Sequence, residues 1–184
     1  MSTPERPSFE EVYDEHVWGV YGYFGYRLGG REMAEDLTQI TFENALRSWD
    51  RYDPRRASPL TWLMAIARNV LIDHYRRDRS DRHQPLADDD RATEALGAEP
   101  PAEPPGVSPE LERALDTLGQ RERELIALRF GAELRGPEIA ELVGLSLANV
   151  QQILSRALRK LRAELEGDGD DEPEPEARSG LRQR

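Results

Sequence analysis

A run of polar side chains near residue 150 has the hydrogen-bonding groups needed to read the edges of DNA bases. Asparagine and glutamine amides can each form two hydrogen bonds with adenine, and arginine can do the same with guanine. The polar run falls on one face of a predicted helix if the opposite face points inward through Val150, Leu154, Ala157, Leu158 and Leu161. The resulting reading face consists of Ser146, Asn149, Gln151, Gln152, Ser155, Arg156 and Arg159.

The residues before this face have the spacing of a helix-turn-helix. The small side chain of Ala140 lets two helices approach closely, and Gly144, four residues later, tolerates the positive φ of a sharp turn. Apolar contacts between the helices are expected at Ile139, Val143, Leu145, Val150 and Ile153. The segment therefore predicts a DNA-reading helix pair, and the alternative is an ordinary helical pair with a solvated polar face.

A second segment, residues 51–79, combines arginines with aromatic side chains. Guanidinium groups neutralise phosphates, and aromatic rings stack on the exposed bases of single strands. The candidate contacts are Arg68, Arg76, Arg77 and Arg79 for phosphates and Tyr52, Trp62 and Tyr75 for bases. The alternatives are core packing for Trp62 and, for the arginines, a solvated helix end that complements the helix dipole.

The sequence contains no recognisable pattern of catalytic or metal-binding residues. The three histidines are scattered at positions 16, 74 and 83, and there is no cysteine. No glycine-rich phosphate loop or paired-histidine motif is found. We therefore expect no catalytic residues, no cofactor and no metal, so the protein is not predicted to be an enzyme.

Charge is distributed unevenly along the 184 residues. The formal net charge of −11, taken as a whole, argues against binding nucleic acid. Residues 86–110 and 163–184 carry −6 and −5, whereas residues 51–85 and 111–162 carry +4 and +2. The candidate DNA contacts thus lie in the basic segments, and the acidic balance belongs elsewhere.

The chain shows no signal for a membrane or for export. Its apolar runs fall far short of the ~18–20 residues that cross a bilayer. The first residues contain neither a basic start nor an apolar stretch, so no secretory signal is expected. We therefore expect a cytoplasmic protein without membrane insertion.

Apolar residues recur at steps of three and four throughout the foldable segments, which predicts an all-α protein. Residues 8–80 form one predicted helical domain and residues 109–165 a second, which contains the helix-turn-helix. The acidic, proline-rich residues 81–108 predict a flexible linker, and residues 166–184 predict a disordered tail. Each domain is small, so each core should be modest unless a partner adds to it.

Three motifs in this order resemble the two conserved domains of extracytoplasmic-function (ECF) sigma factors, members of the sigma-70 family. The run Ala-Glu-Asp-Leu-Thr-Gln-Ile-Thr-Phe at 34–42 and the run Thr-Trp-Leu-Met-Ala-Ile-Ala-Arg-Asn at 61–69 resemble the promoter-melting domain. The run that begins at Leu118, followed by the helix-turn-helix, resembles the second domain. The resemblance implies a dissociable subunit of bacterial RNA polymerase that supplies promoter recognition and initiates transcription of a specific regulon.

The resemblance also implies roles for particular residues. The surface that docks on the β′ clamp helices of core polymerase would consist of Asp36, Leu37, Gln39, Thr41 and Phe42. The surface that binds and opens the minus-ten element, with the two arginines of the basic run added, would consist of Tyr52, Arg55, Arg56, Ser58, Thr61, Trp62, Arg68, Asn69, Arg76 and Arg77. The reading face would recognise the minus-thirty-five element.

Further partners follow from the same resemblance. They are the β flap of the polymerase and an inhibitory anti-sigma factor, which many members of the family have. Gln151 and Ile153 stand where the family usually has cations, so we expect weak DNA binding by the protein alone.

Two other functions are compatible with the sequence. A stand-alone helix-turn-helix regulator would bind specific duplex DNA without polymerase. A purely helical adaptor would bind no nucleic acid with or without polymerase.

Overall fold

The computed structural model describes residues 6–81 and 107–167, so most of the predicted linker and tail lies outside the described residues. All regular structure in these two ranges is helical, which confirms the predicted all-α fold. Within them, no helix is both long enough and apolar enough to cross a membrane. The helices are α1 (Phe9–Leu28), α2 (Arg31–Arg47), α3 (Pro59–Asp81), α4 (Pro109–Asp116), α5 (Gln120–Ile126), α6 (Gly136–Val143) and α7 (Leu147–Gly167).

The first helix of the N-terminal domain begins and ends at local sequence signals. Helix α1 opens with a capping box, in which the Ser8 hydroxyl accepts a hydrogen bond from the Glu11 amide at 3.2 Å. The Glu11 carboxylate accepts one in return from the Ser8 amide at 2.8 Å, and these bonds lower the pKa of Glu11. The helix ends at Gly29. A 3₁₀ turn at Trp49–Arg51 follows α2 and leads into the loop before α3.

The C-terminal domain begins with Ser108 as the capping residue of α4 and Pro109 in its first turn, a common pattern at helix starts. Helix α5 continues into a wider, π-helical turn over Ala127–Gly131, so this stretch is not a uniform α-helix. This wider turn carries the chain against α1 of the other domain. Helices α6 and α7 then form the helix-turn-helix.

The two domains share one hydrophobic core. The buried cluster built on α1, α2 and α3 continues into the C-terminal domain through Leu125, Ala127, Leu128, Ala132, Leu134, Ile139, Ala140 and Val150. A smaller cluster beneath α4, α5 and α7 contains Ala114, Leu115, Leu118, Ile126, Ala157 and Leu161. Each domain therefore adds buried apolar side chains to the small core of the other.

Candidate nucleic-acid interface

The turn between α6 and α7 has the geometry that the helix-turn-helix pattern predicts. Gly144 adopts φ = 67°, in the left-handed region that side chains with a Cβ rarely occupy. The Leu145 amide donates to the Ala140 carbonyl at 3.0 Å, which closes the turn. Ile139 and Val150 are fully buried between the two helices and the neighbouring core. The turn therefore determines the orientation of α7 relative to α6.

Helix α7 presents the predicted reading face to solvent. Its first turn is capped by the Ser146 hydroxyl, which accepts a hydrogen bond from the Asn149 amide at 3.3 Å. All seven residues of the reading face are exposed. The prediction that Leu158 faces inward is wrong, because this side chain is 43% exposed while Ala157 and Leu161 are buried. Leu158 lies at the edge of the buried stripe, where no other helix of the described residues covers it.

Helix α7 is tied to α5 of the same domain by an ion pair at the flank of the reading face, one turn beyond Arg156. The Lys160 ammonium lies 2.8 Å from the Glu122 carboxylate of α5, and this bond lowers the pKa of Glu122. The same carboxylate accepts a hydrogen bond from the Gly119 amide at 3.0 Å, so it also caps α5. Lys160 is therefore engaged by the protein, and Arg156 and Arg159 remain as the cations of the reading face.

Four aromatic rings form a cluster beneath the loop that leads into α3. The rings of Trp49 and Tyr52 stack with centroids 4.9 Å apart, and both contact Trp62, while Phe9 meets Trp49 edge-on at 5.4 Å. Tyr52 is only 4% exposed, and its hydroxyl donates to the Ala57 carbonyl at 3.1 Å. In this arrangement Tyr52 supports the loop from below, and its ring is not offered to a base. Trp62 is half-buried against the same cluster.

The loop 53–58 is held by its own polar side chains. The Arg55 guanidinium donates two hydrogen bonds to the Asp53 carboxylate, at 3.0 and 2.9 Å, and the Arg55 amide donates a third. These bonds lower the pKa of Asp53 to about 2. Ser58 then caps α3 by accepting from the Thr61 amide at 3.2 Å. The loop thus presents Arg55 and Arg56, both exposed, from an ordered backbone.

The candidate phosphate contacts on α3 differ in their availability. Asn69, Arg76 and Arg77 are exposed. The Arg68 side chain is only 23% exposed, because its guanidinium bonds the Glu124 carboxylate at 2.8–2.9 Å and the Leu142 carbonyl at 2.8 Å. Both partners belong to the C-terminal domain. Arg68 is therefore occupied by protein in this conformation.

The candidate polymerase-docking residues on α2 divide into exposed and buried groups. Asp36 and Gln39 are exposed. Leu37, Thr41 and Phe42 are buried, and the Thr41 hydroxyl donates to the Leu37 carbonyl at 2.7 Å. The three buried side chains therefore pack α2 against the core. Of the five candidates, only Asp36 and Gln39 can contact a partner in this conformation. Three apolar residues of the same helix are exposed as well: Met33, Ile40 and Leu46.

An apolar groove on the C-terminal domain was missed in the sequence. It encloses about 470 Å³ and runs beside Phe130, Leu158 and Leu165, three exposed apolar side chains. The signal that could have revealed it is the excess of leucines on α7 beyond those needed for one buried stripe. No cluster of three or more metal-ligating side chains is found in the two described ranges.

The comparisons with known proteins agree with the two-part organisation. The Sigma-70 region 2 family matches residues 12–81, and the Sigma-70 region 4 family matches residues 114–163. The RNA polymerase sigma factor CarQ of Myxococcus xanthus is 33% identical over 164 residues, which cover 89% of this chain and 91% of CarQ. The ECF RNA polymerase sigma factor BldN of Streptomyces coelicolor is 30% identical over 165 residues, which are 89% of this chain and 62% of BldN.

A solved structure supports the fold. The sigma factor RpoE from Bartonella quintana, crystallised in complex with the anti-sigma factor NepR, superposes with a TM-score of 0.67. The match covers 87% of this chain and 98% of that chain, at 21% sequence identity. Both conserved regions, the relatives and the arrangement of helices favour a sigma factor over a stand-alone helix-turn-helix regulator or a helical adaptor. The chain belongs to the ECF sigma factors, the RNA polymerase initiation factors of the sigma-70 family.

Proposed function

We propose that this sigma factor divides promoter recognition among three surfaces, each on a different helix. Helix α2 docks core polymerase, α3 with its preceding loop engages the minus-ten element, and α7 reads the minus-thirty-five element. The observation that carries the proposal is the exposed polar face of α7, which follows a helix-turn-helix turn with a left-handed glycine.

Docking to the β′ clamp helices uses the exposed face of α2. Asp36 and Gln39 offer a carboxylate and an amide, and Met33, Ile40 and Leu46 surround them with exposed apolar surface. Such a patch, with polar groups among apolar ones, has the composition of a protein interface, where apolar burial supplies affinity and polar pairs supply register. The helix is held in place by three buried side chains, Leu37, Thr41 and Phe42.

Opening of the minus-ten element uses the loop 53–58 and the exposed side of α3. Arg55, Arg56, Arg76 and Arg77 provide phosphate contacts, and Thr61, Ser58 and Asn69 provide hydrogen bonds. Trp62 is half-buried and can present one edge to an unstacked base. Tyr52 contributes by supporting this surface, and Arg68 contributes once it is released from Glu124.

Reading of the minus-thirty-five element uses base and phosphate contacts from α7. Asn149, Gln151 and Gln152 carry amides for base edges, and Arg156 and Arg159 suit guanine or phosphate. The apolar groove beside Leu158 is the surface that we assign to the β flap, since its open apolar lining suits a helix of a partner.

The protein acts by binding, and the polymerase performs the chemistry of RNA synthesis. Its partners are core polymerase and promoter DNA, which sets its working place in the cytoplasm. We propose an anti-sigma factor as a further partner, by analogy with the complex of Bartonella quintana RpoE with NepR.

The proposal is tested by binding to purified bacterial core polymerase and by run-off transcription on a genomic promoter library. The double variant Asp36→Ala with Gln39→Ala should weaken core binding about tenfold or more, because two polar interface contacts are lost. Transcription should fall in parallel at limiting sigma factor, with no change in promoter preference.

The matched control is Asp14→Ala, which removes an exposed carboxylate from α1 instead of α2. It should bind and transcribe as the wild type does. Failure of the wild-type protein to bind any core polymerase, or specific duplex binding that needs no polymerase, would contradict the proposal.

A further inference from the structure

We propose that Arg6 is a positioning residue for promoter recognition, because it braces the loop 53–58 through Trp49. The proposal rests on the proposed function in one respect, the assignment of this loop to the minus-ten element. The bracing itself rests on contacts between Arg6, which lies just before α1, and the 3₁₀ turn Trp49–Arg51, which leads into the loop.

Arg6 makes two contacts with the first residue of that turn. Its guanidinium carbon lies over the Trp49 ring, 4.7 Å from the ring centroid, and the guanidinium also donates a hydrogen bond to the Trp49 carbonyl. A planar guanidinium can do both, because it stacks on an aromatic face while its N–H groups point toward an acceptor. Arg6 therefore restrains both the ring and the backbone of a residue 43 positions further along the chain.

The turn that Arg6 contacts has little support of its own. It is a 3₁₀ turn of three residues, in which hydrogen-bond geometry is poorer than in an α-helix. The Ser48 hydroxyl at its start bonds back to the Asn44 carbonyl of α2 at 2.6 Å and does not cap the turn. The Tyr52 amide closes the turn by donating at 2.9 Å to the Trp49 carbonyl, the oxygen that also accepts from Arg6. Arg6 thus adds a tertiary bond at the point where the turn enters the loop.

Trp49 is connected to the far end of the loop through Tyr52. The two rings stack with centroids 4.9 Å apart and with 14° between their planes. The hydroxyl of the buried Tyr52 donates to the Ala57 carbonyl at 3.1 Å, so this side chain spans the loop from one end to the other. A tilt of the Trp49 ring would move Tyr52, and with it the backbone that carries the exposed arginines of the loop.

The alternative role for Arg6 is a direct phosphate contact, since its side chain is exposed. The structure favours bracing, because the ring contact and the carbonyl bond both hold the guanidinium on Trp49. The two roles also predict different behaviour. Bracing acts only through Trp49, whereas a phosphate contact is independent of the Trp49 ring.

The bracing is tested first in the full-length protein, without DNA or polymerase. Arg6→Ala removes both contacts to Trp49. The matched control is Arg51→Ala, which removes an exposed arginine from the turn itself and changes the net charge equally. Circular dichroism should show that both variants keep the helical content of the wild type.

Hydrogen exchange followed by mass spectrometry then measures the order of the loop. The Arg55 amide donates to the Asp53 carboxylate and the Arg56 amide to the Asp53 carbonyl, both at 3.0 Å, so these amides report on the loop directly. Their exchange should be roughly twofold to fivefold faster in Arg6→Ala, the factor that corresponds to one exposed cation–π contact. Exchange at the wild-type rate is expected in Arg51→Ala. The same wild-type rate in Arg6→Ala would overturn the bracing.

The positioning role is tested by transcription with core polymerase from a library randomised in the minus-ten element. Arg6→Ala should lower discrimination at the best-read position by roughly twofold to fivefold, because a looser loop presents its groups in more than one arrangement. Core binding and the preferred upstream element should stay as in the wild type. A loss of folded protein would lower core binding as well, so this split identifies positioning. Faster loop exchange with unchanged minus-ten discrimination would overturn the positioning role.

A double-variant comparison separates bracing from a direct phosphate contact. Trp49→Leu keeps an apolar side chain but has no aromatic face, and Trp49→Phe gives the same comparison with a smaller ring if the leucine variant folds poorly. Adding Arg6→Ala to either variant should lower discrimination less than it does in the wild type, because residues in contact have non-additive effects. An equal effect in both backgrounds would show that Arg6 acts without Trp49 and would refute the bracing.

Failure of this proposal can be distinguished from failure of the proposed function. If wild-type transcription with core polymerase does not depend on the minus-ten sequence, the assignment of the loop 53–58 is wrong, and the positioning role of Arg6 fails with it. If the wild type discriminates among minus-ten sequences and Arg6→Ala discriminates equally well, only the positioning role fails.

Discussion

At the scale of single residues, exposure separates side chains that meet a partner from those that hold them in place. Gln151 and Arg156 are exposed on α7, whereas Leu37 and Phe42 are buried beneath α2 although their sequence motif suggests an interface. Hydrogen bonding to bases requires donors and acceptors that are not already engaged within the protein. The amide and guanidinium groups of α7 therefore offer the most direct residue-level test of promoter reading.

We predict that Gln151→Ala and Arg156→Ala each change the preferred upstream element in transcription with core polymerase. Loss of a good base contact should reduce discrimination at one position by roughly 1–3 kcal/mol. The measurement is selection from a promoter library randomised in the upstream element. Arg162→Ala, an exposed cation one turn beyond the reading face, should weaken all promoters alike. An unchanged preference in both test variants would refute the reading face.

At the scale of elements, the turn between α6 and α7 determines how the reading face is aimed. Gly144 has φ = 67°, and no atom lies within 4 Å of the position that its Cβ would occupy. Backbone conformation alone therefore disfavours a side chain there, because the left-handed region costs an L-residue roughly 1–2 kcal/mol. The turn is an element whose geometry depends on one residue.

We predict that Gly144→Ala lowers the free energy of unfolding by about 1–2 kcal/mol through the backbone conformation alone. Gly144→Asn should cost less, because asparagine adopts the left-handed region more readily than alanine does. Urea unfolding followed by circular dichroism measures both. Equal losses for the two variants would show that the cost arises from something other than the positive φ.

At the scale of the whole molecule, the shared core couples the domains thermodynamically. Leu125, Leu128 and Ile139 of the C-terminal domain are fully buried in the cluster that α1–α3 begin. Apolar area buried between two units stabilises both, so neither should unfold alone while they are docked. The tryptophans allow this coupling to be observed, since Trp18, Trp49 and Trp62 all lie in the N-terminal domain.

We predict that wild-type protein unfolds in urea with coincident transitions by tryptophan fluorescence and by circular dichroism, which reports both domains. A Cβ added to Gly22 in α1 would overlap the Gly131 carbonyl of the C-terminal domain, so Gly22→Ala should weaken the packing between the domains and give the two transitions different midpoints. Gly19→Ala should keep them coincident, because its Cβ would meet Leu60 and Ala132 only at ordinary contact distances. Separate transitions in the wild type would contradict energetic coupling through the shared core.

Local features of this fold were predictable because they depend on neighbours in the chain. The capping box at Ser8, the helix start at Ser108 and the turn at Gly144 all lie where short-range rules predict them. The exposed reading face was predictable for the same reason, since helical periodicity determines which residues share a face. The error at Leu158 arose at the edge of such a face, where a neighbouring helix would have to cover the side chain and none in ranges 6–81 and 107–167 does.

The amino-acid sequence by itself determined the helices, the helix-turn-helix and the membership of the ECF sigma factors, because these follow from local periodicity and from motifs in a particular order. Only the tertiary structure decided that Tyr52 is buried and that Arg68 is held by the other domain. The partners of Arg68 lie 56 and 74 residues away in the chain. Contacts over such separations depend on how the domains pack, and no local rule specifies that packing.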